Sequence, residues 1–330
     1  MELRKEFSFT SVSRHIPPTP GSNLLGPLAV LKGTWMGQGF NQIWRPFQGG
    51  PAGQDRFLEL NQTLETLQFE EIPGDIPNRG FLQSDINLHG LRYLQQVQDA
   101  NVLGPNGELA GIHVEHGMWL AVPPTTNPDD PTIVARLATI PHGTSLVAQG
   151  TSQTPIHGPP NIDPVSIAPF GIGTPPPVNT TITPAIFPER DLSLFPPTPF
   201  RTDAGDIPNV TQDMVDNPNT VLVLGLAGKT VISTVMLKIS TVSPNPTTAV
   251  PPATGGPPTS GGGISNIAFL QGSAGGPNAS AVQMDAIFFI ETLQEPDGKI
   301  KHQLQYSQKV LLNFNGLSWP HVSVATLIKQ

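Results

Sequence analysis

The chain has 330 residues, with 38 prolines, 33 glycines and no cysteine, and its formal net charge is −8 at pH 7. The lack of cysteine excludes disulfides, thiolate metal sites and cysteine nucleophiles. Charged residues make up 13% of the chain, and no cluster of Lys and Arg is visible. A nucleic-acid partner or an acidic membrane surface is therefore not expected. The charged first residues form no secretory signal, and a cytoplasmic protein is the default expectation.

The first half of the chain contains short apolar runs separated by turn residues, which is typical of β-strands. The first structured run covers residues 28–44. Strand candidates follow at 57–71, 86–97 and 112–122. The next run, 132–149, is predicted to form a hairpin that turns at Pro141-His142-Gly143, because Pro and Gly interrupt the apolar pattern there.

The second half begins with a long excursion, residues 151–219, that is dominated by Pro, Thr, Asn and Asp. The prolines Pro175, Pro176 and Pro177 exclude a regular β-ladder at that point. Scattered apolar residues indicate that this segment packs over the β-barrel that the strand candidates are predicted to form, or over one of its mouths. A disordered linker between two domains is the alternative. Strand candidates resume at 221–226, 230–240, 264–271, 281–293 and 299–311 and at the C-terminus, with a second insertion at 243–263.

About ten strands, each joined to the next by a turn, predict an all-β protein built as a single antiparallel up-and-down β-barrel. In this interpretation, residues 1–330 form one domain. Its barrel strands lie within 28–150 and 220–330, and residues 151–219 and 243–263 are long proline-rich insertions. In this interpretation the barrel holds a small apolar ligand as its partner.

The sharpest local motif is a GxWxGxG pattern formed by Gly33, Trp35, Gly37 and Gly39. Glycine at alternate positions leaves one strand face without side chains, so another backbone or a flat ligand must approach it closely. Trp35 shares that face by parity and is expected to plug the barrel floor. A purely structural bend at a tight barrel corner is the alternative interpretation.

Three histidines are candidate site residues. His321 shares its strand face with Ser323 and Ala325, whose small side chains leave room for a bulky group, although a surface histidine at a strand end is the alternative. His113 shares a face with Glu115, but this pair lacks a third partner for a metal site and favours a hydrogen-bonded or wall role. His142 lies in the predicted turn and is either exposed or close to a barrel mouth.

Together these motifs resemble nitrobindin, a family of haem-binding barrels related in shape to fatty-acid-binding proteins and lipocalins. The resemblance begins with GxWxGxG and continues through LELNQTLETLQF (58–69) and LHGLRYLQQVQ (88–98). It includes an HxExG motif at His113, Glu115 and Gly117. It ends with HQLQY (302–306) and with the segment that contains His321.

The resemblance implies a haem b cofactor, with His321 as the iron ligand on the last strand. The cofactor-binding residues that it implies are Gly33, Trp35, Gly37, Gly39, His113 and His142. It also implies binding of nitric oxide or other small nitrogen-oxide ligands and, if the protein is an enzyme, a peroxynitrite isomerase-like or peroxidase-like activity. A homodimer is compatible with it. A haem-free carrier of a hydrophobic small molecule is the alternative, and an interaction protein that works through residues 151–219 is a third hypothesis.

Overall fold

The structure is a computed structural model that describes residues 24–47, 55–127, 129–174, 187–193, 200–203, 205–242, 262–272 and 275–330. Prolines 175–177 and most of the predicted insertion 243–263 lie outside the described residues. Within these ranges there are ten long strands: β1 (Gly33–Pro46), β2 (Arg56–Glu71), β3 (Ile86–Leu103), β4 (Leu109–Val122), β5 (Ile133–Ile140), β6 (Thr144–Ser152), β7 (Thr230–Ser240), β8 (Ser280–Gln294), β9 (Ile300–Phe314) and β10 (Leu317–Lys329).

The ten strands form a closed antiparallel barrel in which each strand pairs with the next one in the chain. The barrel closes because β10 pairs with β1, with Trp35 opposite Lys329 and Gln42 opposite Val322. Strand β6 pairs directly with β7 although a long connection separates them in sequence. This order is that of an up-and-down barrel. The predicted fold class is therefore confirmed.

The predicted hairpin is present, since β5 and β6 are joined by the turn at Pro141-His142-Gly143. Gly143 has a φ of +96°, a conformation that favours glycine. We call the end of the barrel that holds this turn the mouth. The opposite end, where β1 begins, is the floor.

The strand predicted at 221–226 is wrong, because this run lies in a helix, α2 (Thr220–Leu226). A short apolar run fits a strand and a helix equally well, and pairing of β6 with β7 leaves no barrel edge for another strand to join. Gly225 allows α2 to approach the wall, since a Cβ there would lie 2.6 Å from Gln305 Nε2. In the described ranges, no helix has the length and apolar character needed to cross a bilayer.

An apolar interior core fills the floor half of the barrel and continues towards the mouth on β5, β6, β8 and β9. A 3-10 helix, Gly26–Leu31, lies against it and buries Leu28 and Leu31. Trp35 is fully buried beside this helix, and its Nε1 donates a hydrogen bond to the Leu31 carbonyl at 2.6 Å. The position of Trp35 agrees with the floor-plug role predicted for it. Side chains from all ten strands complete the packing, so this half of the barrel has a solid core.

A second apolar cluster, the outer core, lies on the outside of the barrel wall. The connection between β6 and β7 contributes to it through the described parts of the 151–219 excursion, including α1 (Gln212–Asp216), and through α2. Trp44 Nε1 donates to the Ile167 carbonyl at 3.0 Å, and Gln305 Nε2 donates to the Leu222 carbonyl at 2.8 Å. The described parts of the excursion therefore pack against the barrel. The division of 1–330 into one domain stays a prediction.

Candidate functional site

The interior above the apolar core carries polar side chains, because polar residues occupy inward positions on β2, β3, β4, β5 and β9. Two hydrogen-bonded groups make up this layer, which we call the polar belt. It consists of Thr63, Glu65, Tyr93, Gln95, Glu115, Arg136, Tyr306 and Gln308. Most of these side chains are buried, and Gln308 is half-buried.

The first group of the polar belt centres on Arg136, which is 2% exposed. Its guanidinium donates to Tyr93 Oη at 2.9 Å and to Gln308 Oε1 at 2.7 Å. It also forms an ion pair with the fully buried Glu115, which accepts a second hydrogen bond from the Tyr93 hydroxyl. Burial favours the neutral acid, but Arg136 and hydrogen bonds from His113 and Tyr93 outweigh it and lower the pKa of Glu115 to about 2. Glu115 is therefore ionised at neutral pH.

The second group centres on Glu65 and Tyr306. The Tyr306 hydroxyl donates to Glu65 Oε2 at 2.6 Å, and Thr63 Oγ1 donates to Glu65 Oε1 at 2.9 Å. Gln95 Nε2 lies 3.0 Å from the Tyr306 hydroxyl. Burial raises the pKa of Glu65 in spite of these hydrogen bonds. The two carboxyl groups of the belt therefore differ, since Glu115 is held as an anion and Glu65 is pushed towards the neutral acid.

The chain has only two tyrosines, and both belong to the polar belt. Each hydroxyl is hydrogen-bonded to a buried carboxyl group, Tyr93 to Glu115 and Tyr306 to Glu65. Tyr306 also stacks on Phe288 of the interior core, with ring centroids 5.5 Å apart. The belt therefore packs directly against the apolar interior core.

His321 lies on β10, on the interior face of the barrel and on the mouth side of the belt. Its Nε2 lies 2.9 Å from Asn41 Oδ1, and Ser323 Oγ donates to the same oxygen at 2.6 Å. The side chain is enclosed by the barrel wall but keeps some accessible surface, as do its interior neighbours Val310 and Ser323. We refer to the interior region of the mouth half around these three residues as the upper chamber.

His321 is a neutral imidazole at physiological pH. Burial, together with the nearby His113 and His142, lowers its pKa to about 3. A neutral imidazole with an accessible face can ligate a metal or accept a hydrogen bond from a bound molecule. The surface-histidine alternative does not describe this residue, because its side chain is inside the barrel.

His113 and His142 lie close together on the mouth side of the belt, with ring centroids 5.7 Å apart. His113 Nε2 is 3.5 Å from Glu115 Oε2, so the predicted HxE pair does meet across one strand face. His142 lies in the exposed turn, and partial burial together with the His113 charge lowers its pKa. Among the described residues, no group of three or more His, Asp or Glu side chains is arranged to hold a metal ion.

The glycines of GxWxGxG are required by neighbouring protein atoms. A Cβ at Gly37 would lie 2.0 Å from the Thr326 carbonyl oxygen on β10. A Cβ at Gly39 would lie 2.4 Å from the Val324 carbonyl oxygen and 2.7 Å from Glu65 Oε1. Close approach of another backbone, one of the two alternatives raised by the motif, therefore accounts for both glycines.

The structure does not bring all the predicted site residues together. His113, His142 and His321 converge on the mouth half, and Gly39 lies at the level of the polar belt. Gly33 and Trp35 lie at the floor, six or more residues along β1 from Asn41. Sequence reasoning missed Asn41 and most of the belt. The available signal was the period-2 pattern of their strands, which places these polar residues on the same face as the residues of the interior core.

A cavity of about 460 Å³ opens at the mouth side of β1 to β4. Interior-facing polar residues contribute to its lining, and part of the excursion covers it from outside. The lining residues are Arg45, Phe57, Glu59, Asn61, Asp99, Val102, Ala110, Ile112, Arg201, Thr202, Asp203 and Asp206. Its volume lies within the range of small-molecule sites in proteins.

Comparison with known proteins does not identify a family for this chain. No protein-family model matches the chain, and no curated protein matches it significantly. Among solved structures, it is similar to the crystal structure of Rv2717c from M. tuberculosis, with 15% sequence identity and a TM-score of 0.39. That similarity covers 94% of this chain and 98% of the other.

Proposed function

We propose that this protein binds haem b in the upper chamber, with His321 as the ligand of the iron. The observation that carries the proposal is the position of His321: its imidazole lies inside the barrel on β10, partly accessible, with the small side chains of Ser323 and Ala325 on the same strand face. Neutral histidine is the usual protein ligand of haem iron. The motifs that resemble nitrobindin, including the final-strand histidine, support the same assignment.

The small side chains beside His321 on its strand face support the placement of a bulky, flat group there. Ser323 and Ala325, on the same strand face, are small, and Val310 lies directly opposite His321 in the barrel register. Two charged groups of the belt, Glu115 and Arg136, form an ion pair with each other. Iron ligation by Nε2 would replace its present contact with Asn41, so Asn41 and Ser323 hold the ring in the protein without haem.

The roles of the protein groups follow from their positions. Asn41 and Ser323 hold the His321 ring through Nε2 in the protein without haem, and the polar belt would bound the haem site towards the floor. His113 and His142 stand at the mouth side, where they can donate hydrogen bonds to a polar ligand. When bound, haem would supply an iron site for nitric oxide or another small nitrogen-oxide ligand. An isomerase-like conversion of peroxynitrite, or a peroxidase-like activity, is the corresponding enzymatic proposal.

The test is a haem titration of the purified protein followed by its Soret absorbance. We expect stoichiometric binding that His321→Ala weakens at least tenfold and that His116→Ala leaves unchanged. His116 is a matched control because it lies on β4 with its side chain exposed on the outer face. Circular dichroism of both variants checks that the barrel is intact.

Two results would decide against this function. Unchanged haem affinity and an unchanged spectrum in a folded His321→Ala variant would remove His321 as the ligand. Failure of the wild-type protein to bind haem, with uptake of a fluorescent fatty acid instead, would favour the haem-free carrier of a hydrophobic small molecule.

A further inference from the structure

A second cavity lies outside the barrel, between its outer wall and the excursion. It is a groove of about 660 Å³ across the outer faces of β6, β7, β8 and β9. Asp163, Pro164, Val165 and Asn219 border it on the excursion side. Four adjacent strands span roughly 14 Å, so the groove has the length and volume of a small-molecule site.

Two lysines line the groove. Lys238 is an exposed residue of β7, and Lys309 is a half-buried residue of β9. Within the described ranges, neither ammonium group has a carboxylate oxygen within 4.0 Å. The two lysines are two strands apart, about 10 Å in the direction across the sheet.

The acidic groups of the groove, in contrast, already have hydrogen-bond donors. Asp285 accepts from Ser240 Oγ at 2.7 Å and from Gln283 Nε2 at 2.7 Å. Asp163 accepts from Asn161 Nδ2 at 2.9 Å. Asp285 lies opposite Lys309 in the β8–β9 register, so the groove carries two lysines and two aspartates. Among the described residues, the two ammonium groups are the charged donors of the groove that remain open to an anionic head.

Between the charges, the groove offers an apolar surface and hydroxyl groups. Ile287 lies on the barrel wall at the base of the groove, between Lys238 on β7 and Ser307 on β9. Pro164 and Val165 border the opposite side of the groove. Thr151 lies opposite Lys238 in the β6–β7 register, so its hydroxyl lies beside Lys238 on the outer face of the sheet. Such a surface suits an apolar body that is attached to an anionic head.

We infer that this outer groove binds a small organic anion, a carboxylate or a phosphate ester with an apolar body. The anionic head pairs with Lys238 or Lys309, and the body lies along Ile287 and Val165. This site is separate from the upper chamber, because its lining side chains Lys238, Ile287 and Lys309 point away from the barrel interior. The inference therefore does not depend on haem binding.

The test uses 1-naphthyl phosphate as the probe and isothermal titration calorimetry of the full chain. We expect Lys238→Gln or Lys309→Gln to weaken binding about tenfold, the size expected for a lost charge-assisted hydrogen bond. Lys299→Gln is the matched control, because Lys299 is exposed and already paired with Asp297 in a turn at the floor end. Neutral 1-naphthol should bind at least tenfold more weakly than the phosphate.

Several outcomes would overturn the inference. No measurable binding of the probe, or equal affinity in the wild type and in both lysine variants, would remove the site. Equal binding of 1-naphthol would show that the groove does not select an anion. Loss of probe binding in the His321→Ala variant, with no effect of the lysines, would place the probe in the barrel. Since Lys238 and Lys309 have accessible side chains, their variants should fold normally, and thermal unfolding checks this.

Discussion

Replacing Arg136 with methionine tests whether the polar belt stabilises the barrel as a unit. The substitution removes the cation that faces the buried Glu115 and leaves Tyr93 and Gln308 without its hydrogen bonds. Glu115 then has to remain as an unpaired buried anion or take up a proton. With an ordinary pKa of 4.5, protonation at pH 7 costs about 3 kcal/mol, at about 1.4 kcal/mol for each pH unit.

The expected loss in the free energy of unfolding is about 3–5 kcal/mol at pH 7, the range found when one partner of a buried ion pair is removed. Urea unfolding followed by tryptophan fluorescence measures it, since Trp119 lies in the interior core. Lys32→Met is the matched control, because Lys32 pairs with Glu71 on the surface, with side chains 59% and 49% exposed. That variant should lose less than about 1 kcal/mol.

The stability of the wild type and that of the Arg136→Met variant should depend on pH in opposite directions. In the wild type, the lowered pKa of Glu115 contributes stability that is present above pH 4.5 and is lost as the pH falls towards 2. In Arg136→Met, burial without the cation raises this pKa, so the variant should regain stability as the pH falls from 7 to 5. A loss under 1 kcal/mol, or no gain in stability of the variant between pH 7 and 5, would refute the argument.

Three further predictions concern other parts of the barrel. Burial raises the pKa of Glu291 to about 7, so its contribution to stability is lost as the pH rises through 7. Glu291→Gln should therefore be more stable than the wild type at pH 8, by about 2–3 kcal/mol in urea unfolding. Asn41→Ala should strengthen haem binding about fivefold in a Soret titration, because Nε2 of His321 no longer gives up a hydrogen bond of about 1 kcal/mol. Trp319→Ala should cost about 3–5 kcal/mol in the same unfolding assay, since this buried ring stacks on Phe314 at 4.7 Å in the outer core.

The barrel was predictable because its signals are local. Turn residues such as Pro141-His142-Gly143 separate the apolar runs, and period-2 patterns identify strands without knowledge of their partners. The run at 221–226 was not predictable in the same way. Its six apolar or glycine residues satisfy both a strand and a helix, and the choice depends on closure of the barrel between β6 and β7, which no local pattern reports.

The candidate site was only partly predictable for a related reason. His321 could be selected because its strand face carries small neighbours, but its contact with Asn41 joins the two ends of the chain across the β10–β1 closure. The ion pair of Arg136 with Glu115 likewise depends on the register between β4 and β5. A single sequence contains the alternation of each strand but not the register between strands, so it predicts which residues face inward better than which ones touch.

The glycine motif illustrates how a fold signature and a ligand signature differ. Gly37 and Gly39 meet carbonyl oxygens of β10, so any barrel that closes this tightly needs glycine there, whether or not it binds haem. The presence of GxWxGxG therefore supports the barrel and says little about its ligand. The residues that distinguish a ligand-binding barrel from a merely closed one are His321 and the two groups that hold its ring, Asn41 and Ser323. Closure of a barrel does not require an imidazole and its hydrogen-bond partners inside the wall. A haem titration of variants at these three positions is consequently a sharper test than any substitution of the glycines, which would disturb the fold first.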